Sequence, residues 1–251
     1  MAVAAPVVAP FAEDAFDLTA SLQGPSAQHW FGTDPLGRDV FSRCLFGARI
    51  SLAIGLISVG IGTLLGLPTG AVSGFLGGWV DRLLMRLVDI LLAFPPILLA
   101  IIVISIFGPG LTNAMLAIGI AQMPVYARLM RSSVLKTREE LYVDAARASG
   151  ASEFRILARH VVPNSLTPII VQGTLSLAAA ILSAAYLGFL GLGAQPPSSE
   201  WGSMLSKGRD FLRTGPHASI FPGLFITFSV LAFNMFGDGL SNAMDPKFTR
   251  R

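Results

Sequence analysis

Charge is what this chain has least of. Asp, Glu, Lys and Arg make up 13% of its 251 residues, while 53% are hydrophobic; soluble domains carry roughly 25% charged residues. The scarcity is also uneven. No charged side chain occurs in Ile50–Val80, Ile90–Ala127, Val161–Ser199 or Thr214–Gly237. Runs of that length exclude a soluble protein built from amphipathic core helices, in which polar residues return every turn. Cysteine is nearly absent too: Cys44 stands alone, which excludes an internal disulfide and a thiolate metal site. The three lysines, Lys136, Lys207 and Lys247, follow Leu135, Ser206 and Pro246, so no Gly-Lys-Ser/Thr phosphate loop exists and the chain has no ATP site of its own. His29, His160 and His217 lie far apart and form no paired-histidine metal motif. Ala71-Val72-Ser73-Gly74 only approximates a serine-nucleophile motif and has no base beside it. No catalytic residue, cofactor-binding residue or metal ligand emerges, and the chain reads as not being an enzyme.

What is present is apolar length. A membrane-spanning helix needs about 20 apolar residues. The first and last charge-free runs each hold one span. The second is long enough for two, divided by the helix-breaking Gly108-Pro109-Gly110. The third holds one span after Pro163 and then an irregular stretch at Gln195-Pro196-Pro197. Five spans are expected, at 48–76, 83–107, 112–133, 166–190 and 217–239. The fold class is an all-α, polytopic helical bundle in a membrane.

The net charge of +3 matters less than its placement. With the loops at 77–82, 134–165 and the C-terminal tail on one side, that side holds 12 Lys and Arg against 5 opposite, with Arg49 at the boundary. The positive-inside rule puts the richer side in the cytosol. The first 47 or so residues then lie outside. Met1–Pro10 lacks the positive start of a signal peptide and is too short to span, so it reads as the end of a further, sixth helix. The organisation expected is 1–47 as that helix end plus an external segment, 48–240 as the membrane domain and 241–251 as a cytosolic tail.

Within the first span Gly62, Gly66, Gly70, Gly74 and Gly78 recur every fourth residue, forming one helix face that another backbone can approach closely. Two readings stay open: ordinary helix packing, or a face that slides during transport. Near the membrane mouth Arg86 and Asp89 are spaced for an intrahelical ion pair. The external loop 191–216, rich in Gly, Pro and aromatics, reads as a packed or partly re-entrant segment. Its Trp201 and Phe211 suit interfacial anchoring, or a docking surface for an external partner.

The densest charge sits in YVDAARASGASEFRILARHVVPN, Tyr142 to Asn164. Thr137 with Glu140 three residues later reads as a capping box opening a helix at Arg138. Gly150 closes that helix where left-handed backbone is needed. Ser152 caps a second helix that begins with the acid Glu153 and stops at Pro163, after which Asn164 or Ser165 caps the next span. Leu141, Ala145 and Ala148 share one face, with Ala146 beside it. Either this is a solvated loop helix, or its small side chains seat in a groove on another protein.

Asp144-Ala145-Ala146, then Gly150, Ile156, His160 and Val162-Pro163-Asn164, resembles the EAA loop of importer-type ABC permeases, with Asp in place of the family's Glu. FGTDPLGRDVFSRCLFGARISL (31–52), RLVDILLAFPP (86–96), GLGAQPPSSEWGSML (191–205) and LAFNMFGDGLSNAMDP (231–246) resemble the dipeptide/oligopeptide/nickel permease family, of the DppC/OppC type. The likeness covers nearly everything after Phe31. It implies a type I importer fold in a bacterial inner membrane and one half of a translocation pore. A second homologous permease subunit supplies the other half, and an extracytoplasmic solute-binding protein and two cytosolic ATPases complete the assembly, with no nucleic acid. The EAA loop 137–165 is then the coupling element, carried by Asp144, Ala145, Ala146, Gly150, Ile156, His160 and Pro163, and Gly150→Asp is expected to uncouple ATP hydrolysis from uptake. A secondary transporter or channel would instead show inverted repeats or a pathway lined by ionisable groups, and neither is evident. A membrane scaffold without transport is the remaining alternative.

Overall fold

The four charge-free runs become long helices. In the computed structural model, which describes residues 4–244, the chain is helical with one isolated antiparallel bridge, Thr33 to Asp39, among the described residues. A single turn α1 (Ala5–Val8) is followed by α2 (Val40–Leu76), α3 (Gly78–Leu92), α4 (Pro96–Phe107) and α5 (Leu111–Thr137). Then come the short α6 (Leu141–Ala148) and α7 (Glu153–Ile156), the long α8 (Thr167–Phe189), the short α9 (Trp201–Gly208) and the long α10 (His217–Met244). α2, α8 and α10 are each long and apolar enough to cross a bilayer; α3 and α4 make a fourth crossing if they are one span bent by 93°. The remaining expected span, at 112–133, is α5, which has 27 residues and falls short of that apolarity. Its last turns carry Arg128, Arg131 and Lys136. The expected break at 108–110 is present: Gly108 and Gly110 have φ of +88° and +146°, closed to most side chains.

Two compact units emerge from the packing. The first comprises 4–57, Ile101–Ala117 and Leu177–Ala232. Its core is polar as well as apolar. Asp34 accepts hydrogen bonds from the backbone amides of Leu36 (2.8 Å) and Arg38 (3.0 Å), and its other oxygen pairs with the Arg38 guanidinium at 2.6 Å. Arg43, 1% exposed, donates to the Glu13 carbonyl at 2.8 Å and the Ser198 carbonyl at 3.3 Å. Glu13 in turn accepts from the Ser199 amide at 2.8 Å, so the N-terminal segment and the 191–216 loop hold each other. Trp201 is 1% exposed, and its indole donates to the Cys44 carbonyl at 3.0 Å. Gly47 permits this contact, because a Cβ there would lie 2.8 Å from the Trp201 ring. The expectation that Trp201 anchors at the membrane interface is therefore corrected: its ring and its N–H are both consumed inside the unit. The loop is a packed segment, as one of its two readings had it.

The second unit comprises Ser58–Ala100, Ile118–Ser176 and 233–244. Gly62, Gly66, Gly70 and Gly74 of α2 do form one face, and α5 lies against it. A Cβ at Gly66 would sit 2.6 Å from both the Met123 carbonyl and Tyr126 Cβ; at Gly70 it would strike the Ala127 carbonyl. Gly78 is not part of this face. α2 ends at Leu76, and Gly77 and Gly78, at φ +66° and +59°, turn the chain into α3, leaving Gly78 facing open space. Asp81 in the first turn of α3 ties back to α5 through two hydrogen bonds from Arg131, both 2.6 Å, and accepts from Ser73 at 2.5 Å.

Candidate functional site

The polar insert between α5 and α8 is an elbow of two short helices, and its shape follows from a few residues. α5 runs on through Thr137, so the expected capping box does not open a helix there. Thr137 is buried, and its hydroxyl meets Ser165 Oγ at 3.1 Å; α6 starts at Leu141 after Glu140, whose side chain makes no cap. Gly150 does turn the chain, with φ +83°. Ser152 caps α7, its hydroxyl accepting from the Arg155 amide at 3.4 Å. Beyond Ile156 the chain stays helical, with a wide turn over Leu157–Val161 and a tight one over Pro163–Ser165. Asn164 and Ser165 do not cap α8: they donate back to the His160 carbonyl (2.6 Å) and the Val161 carbonyl (2.8 Å).

The elbow has an inner and an outer side. Val143, Ile156 and Val161 are fully buried in one cluster with Tyr126, Met130 and Val134 of α5 and Ile169 of α8. At roughly 1.5–3 kcal/mol for each buried aliphatic side chain, these three anchor the elbow to both long helices. Outside, Leu141 is 85% and Phe154 80% exposed, with Asp144, Ala145 and Ala148 also exposed. Among the residues singled out by sequence, Asp144 and Ala145 lie on the outer side, Ala146 packs half-buried against the cluster, and Ile156 is inside it. His160 contributes its carbonyl, and Pro163 is exposed at the tight turn.

Phe154 and Arg147 escaped the sequence reading. Arg147 reaches across the Gly150 turn to Glu153 (Nε to Oε1 2.8 Å, Nη2 to Oε2 3.2 Å) and holds Asp144 at 3.1 Å. The hydrogen bonds from Arg147 lower the Glu153 carboxyl, and Glu153 raises the guanidinium. An Arg placed three residues before the turn and a Glu three after it was the available signal. The second candidate site also changes partners. Asp89 of α3 pairs with Arg128 of α5 at 2.7 Å, in place of Arg86, and both members of the pair are about half exposed. Sequence spacing favours a neighbour one turn away, but α5 brings a guanidinium to Asp89 from 39 residues on.

Comparison with known proteins gives this geometry its setting. Residues 66–250 match the family described as the inner membrane component of binding-protein-dependent transport systems. The chain is 53% identical to the dipeptide transport system permease protein DppC of Alkalihalophilus pseudofirmus over 226 residues, covering 90% of this chain and 74% of the relative. It is 48% identical to the glutathione transport system permease protein GsiD of Pectobacterium atrosepticum over 236 residues, covering 94% and 78%. Among solved structures, an inward-facing MetNI methionine ABC transporter superposes with a TM-score of 0.66 at 20% identity, covering 81% of this chain and 96% of that one. An amino acid ABC transporter superposes with a TM-score of 0.63 at 13% identity, covering 81% and 95%. At those identities the likeness concerns the fold. The family match and the close relatives go further: the chain belongs to the inner-membrane components of binding-protein-dependent transport systems, as a permease of an ABC importer.

Proposed function

We propose that this permease forms half of the pore of a peptide importer, completed by a second homologous permease subunit, and that the elbow is where a cytosolic ATPase takes hold. The relatives named for dipeptide and glutathione transport support small peptides as the solute. The excess of Arg and Lys on the elbow's side supports its placement in the cytosol. The observation that carries the coupling reading is the division of the elbow: Leu141 and Phe154 are open to a partner, while Val143, Ile156 and Val161 are locked into α5 and α8. A push or pull on the outer side is delivered to two long helices without loss in the joint. In this reading a solute-binding protein delivers from the other side, and hydrolysis belongs to two ATPases, one on each permease.

Gly150 tests the reading. At φ +83° its Cβ would meet nothing within 4 Å, so substitution strains the backbone without a clash. A β-branched residue is an outlier in that region, whereas Asn tolerates it. In the assembled importer Gly150→Val is expected to lower peptide uptake per ATP hydrolysed at least tenfold, with normal membrane insertion, and Gly150→Asn to keep most of it. Equal uptake in both variants would remove the elbow from the mechanism. A secondary transporter differs at an earlier step, since no ATPase would co-purify after mild detergent extraction.

A further inference from the structure

A furrow runs along the second unit, lined in its larger stretch by Leu92, Val125, Arg128, Leu129, Ser132 and Gln172, with a volume of about 420 Å³. It continues past Leu129 and Gln172 along α8 and α10 into a second stretch of about 340 Å³ that reaches Thr167 and Ser241. From Val125 onward the exposed positions of α5 form a stripe, Val125, Arg128, Ser132 and Lys136, which falls on one helix face. Arg128 stands on it nine residues before Thr137, where α5 ends, hence about 13 Å inside that end at 1.5 Å per residue. Its side chain is 55% exposed and that of its partner Asp89 51%. Half-exposed charges near the end of the expected span face water rather than hydrocarbon, so the furrow is water-filled at its mouth.

We infer that this furrow is the chain's share of the solute route, and that Arg128 is the cation that receives the carboxylate of the passing peptide. The inference rests on the peptide reading given above and names the group that reads the solute. Three features favour an anionic carboxylate over a cation or a neutral solute. The guanidinium is held by one acid through a single 2.7 Å contact from Nη2, leaving its other donors open, and guanidinium takes carboxylates in paired hydrogen bonds. Gln172 and Ser132 add neutral polar groups beside it. Asp89 offers the carboxylate that a solute must replace, so binding and release exchange one carboxylate for another at Arg128, and the displaced Asp89, half exposed, is left to water.

Two measurements on the assembled importer, with its partner permease, ATPases and binding protein, decide the matter. In the first, uptake of alanyl-alanine and of glutathione is compared in wild type, Arg128→Gln, Arg128→Lys, and the exchange Arg128→Asp with Asp89→Arg. Arg128→Gln is expected to lower uptake of both probes more than tenfold, Arg128→Lys less, and the exchange is expected not to restore it, although it rebuilds an ion pair. Restored uptake in the exchange would show a structural pair and overturn the inference. In the second, Ser132→Cys is labelled with an anionic and with a cationic methanethiosulfonate; the natural Cys44 is buried. The anionic reagent is expected to react at least threefold faster, and the preference to vanish when Arg128→Gln is added. A Ser132→Cys importer whose introduced thiol reacts with neither reagent would overturn the water-filled route. A wild-type complex importing neither probe would overturn the peptide reading instead, while the labelling preference needs no transported solute and still judges the furrow.

Discussion

The two units use charge in opposite ways. In the first, charges are buried and immobilised: Arg43 at 1% exposure, Glu200 at 1%, Asp39 at 4% and Arg38 at 7%, each tied to backbone or to a counter-ion. In the second, Arg147, Glu153, Asp144, Arg128 and Asp89 pair with each other at side-chain exposures near one half, and Asp81 with Arg131 is the more enclosed exception. Buried networks fix one arrangement, because breaking them strands a charge without water. Exposed pairs are worth little in stability and exchange partners readily. The first unit is thus built to hold a shape, and the second keeps its charged contacts available for exchange, which suits a partner's grip at the elbow and a solute's passage in the furrow.

The largest effect that sharpens this contrast comes from matched aromatic truncations. Trp201→Ala removes a fully buried indole and its bond to the Cys44 carbonyl, and an expected loss of about 3–5 kcal/mol is read as a lowered unfolding midpoint in detergent. Phe154→Ala, at 80% exposure, is expected to leave that midpoint in place and to reduce ATPase co-purification instead. An unstable Phe154→Ala would erase the distinction. Next is Glu200, which caps α9 by accepting from the Gly202 (2.7 Å) and Ser203 (2.8 Å) amides without a cationic partner among its hydrogen bonds. Burial pushes its carboxyl up to about 7 from 4.5, although the two amides pull it down. Between those values the folded chain keeps a proton that the unfolded chain releases, so stability falls as pH rises from 4.5 to 7 and the full cost, on the order of 3 kcal/mol, is present above it. Glu200→Gln is expected to flatten that fall, at the loss of one of the two cap bonds, since an amide nitrogen cannot accept from a backbone N–H. An unchanged pH profile would show that the amides keep the group ionised throughout.

The same contrast explains what could be read in advance. Local chemistry was legible: the charge-free runs became helices, Gly108 and Gly110 broke them, Gly150 took positive φ and Ser152 capped α7. Contacts made across distance were not. Thr137 has the spacing of a capping box, but Ser165, 28 residues on, takes its hydroxyl. Trp201 has the composition of an interfacial aromatic, yet Cys44 is 157 residues away and takes its N–H. Asp89 found Arg128 by the packing of α5, not by helical spacing. Thr137 and Asp89 each had a local partner within reach and a distant one that burial or packing made better. Membrane helices sharpen this problem, since their apolar runs are alike and give little sign of which face meets which.

The smallest effect tests the exposed side most finely. Arg147 spans the Gly150 turn, with two hydrogen bonds to Glu153 and one to Asp144. Its fork makes parallel bonds that an ammonium cannot reproduce. In Arg147→Lys the charge remains and the paired geometry is lost, so α7 is held at a looser angle to α6. Because the pair is exposed, the unfolding midpoint is expected to stay where it is. Uptake per ATP in the assembled importer is expected to fall two- to threefold, and the wild-type value to drift toward the variant's as salt screens the pair. A variant that lost midpoint and coupling together would place Arg147 among the shape-holding charges of the first unit. Loss of coupling alone would mean that the angle between two four-to-eight-residue helices, set by one guanidinium, is what the ATPase reads.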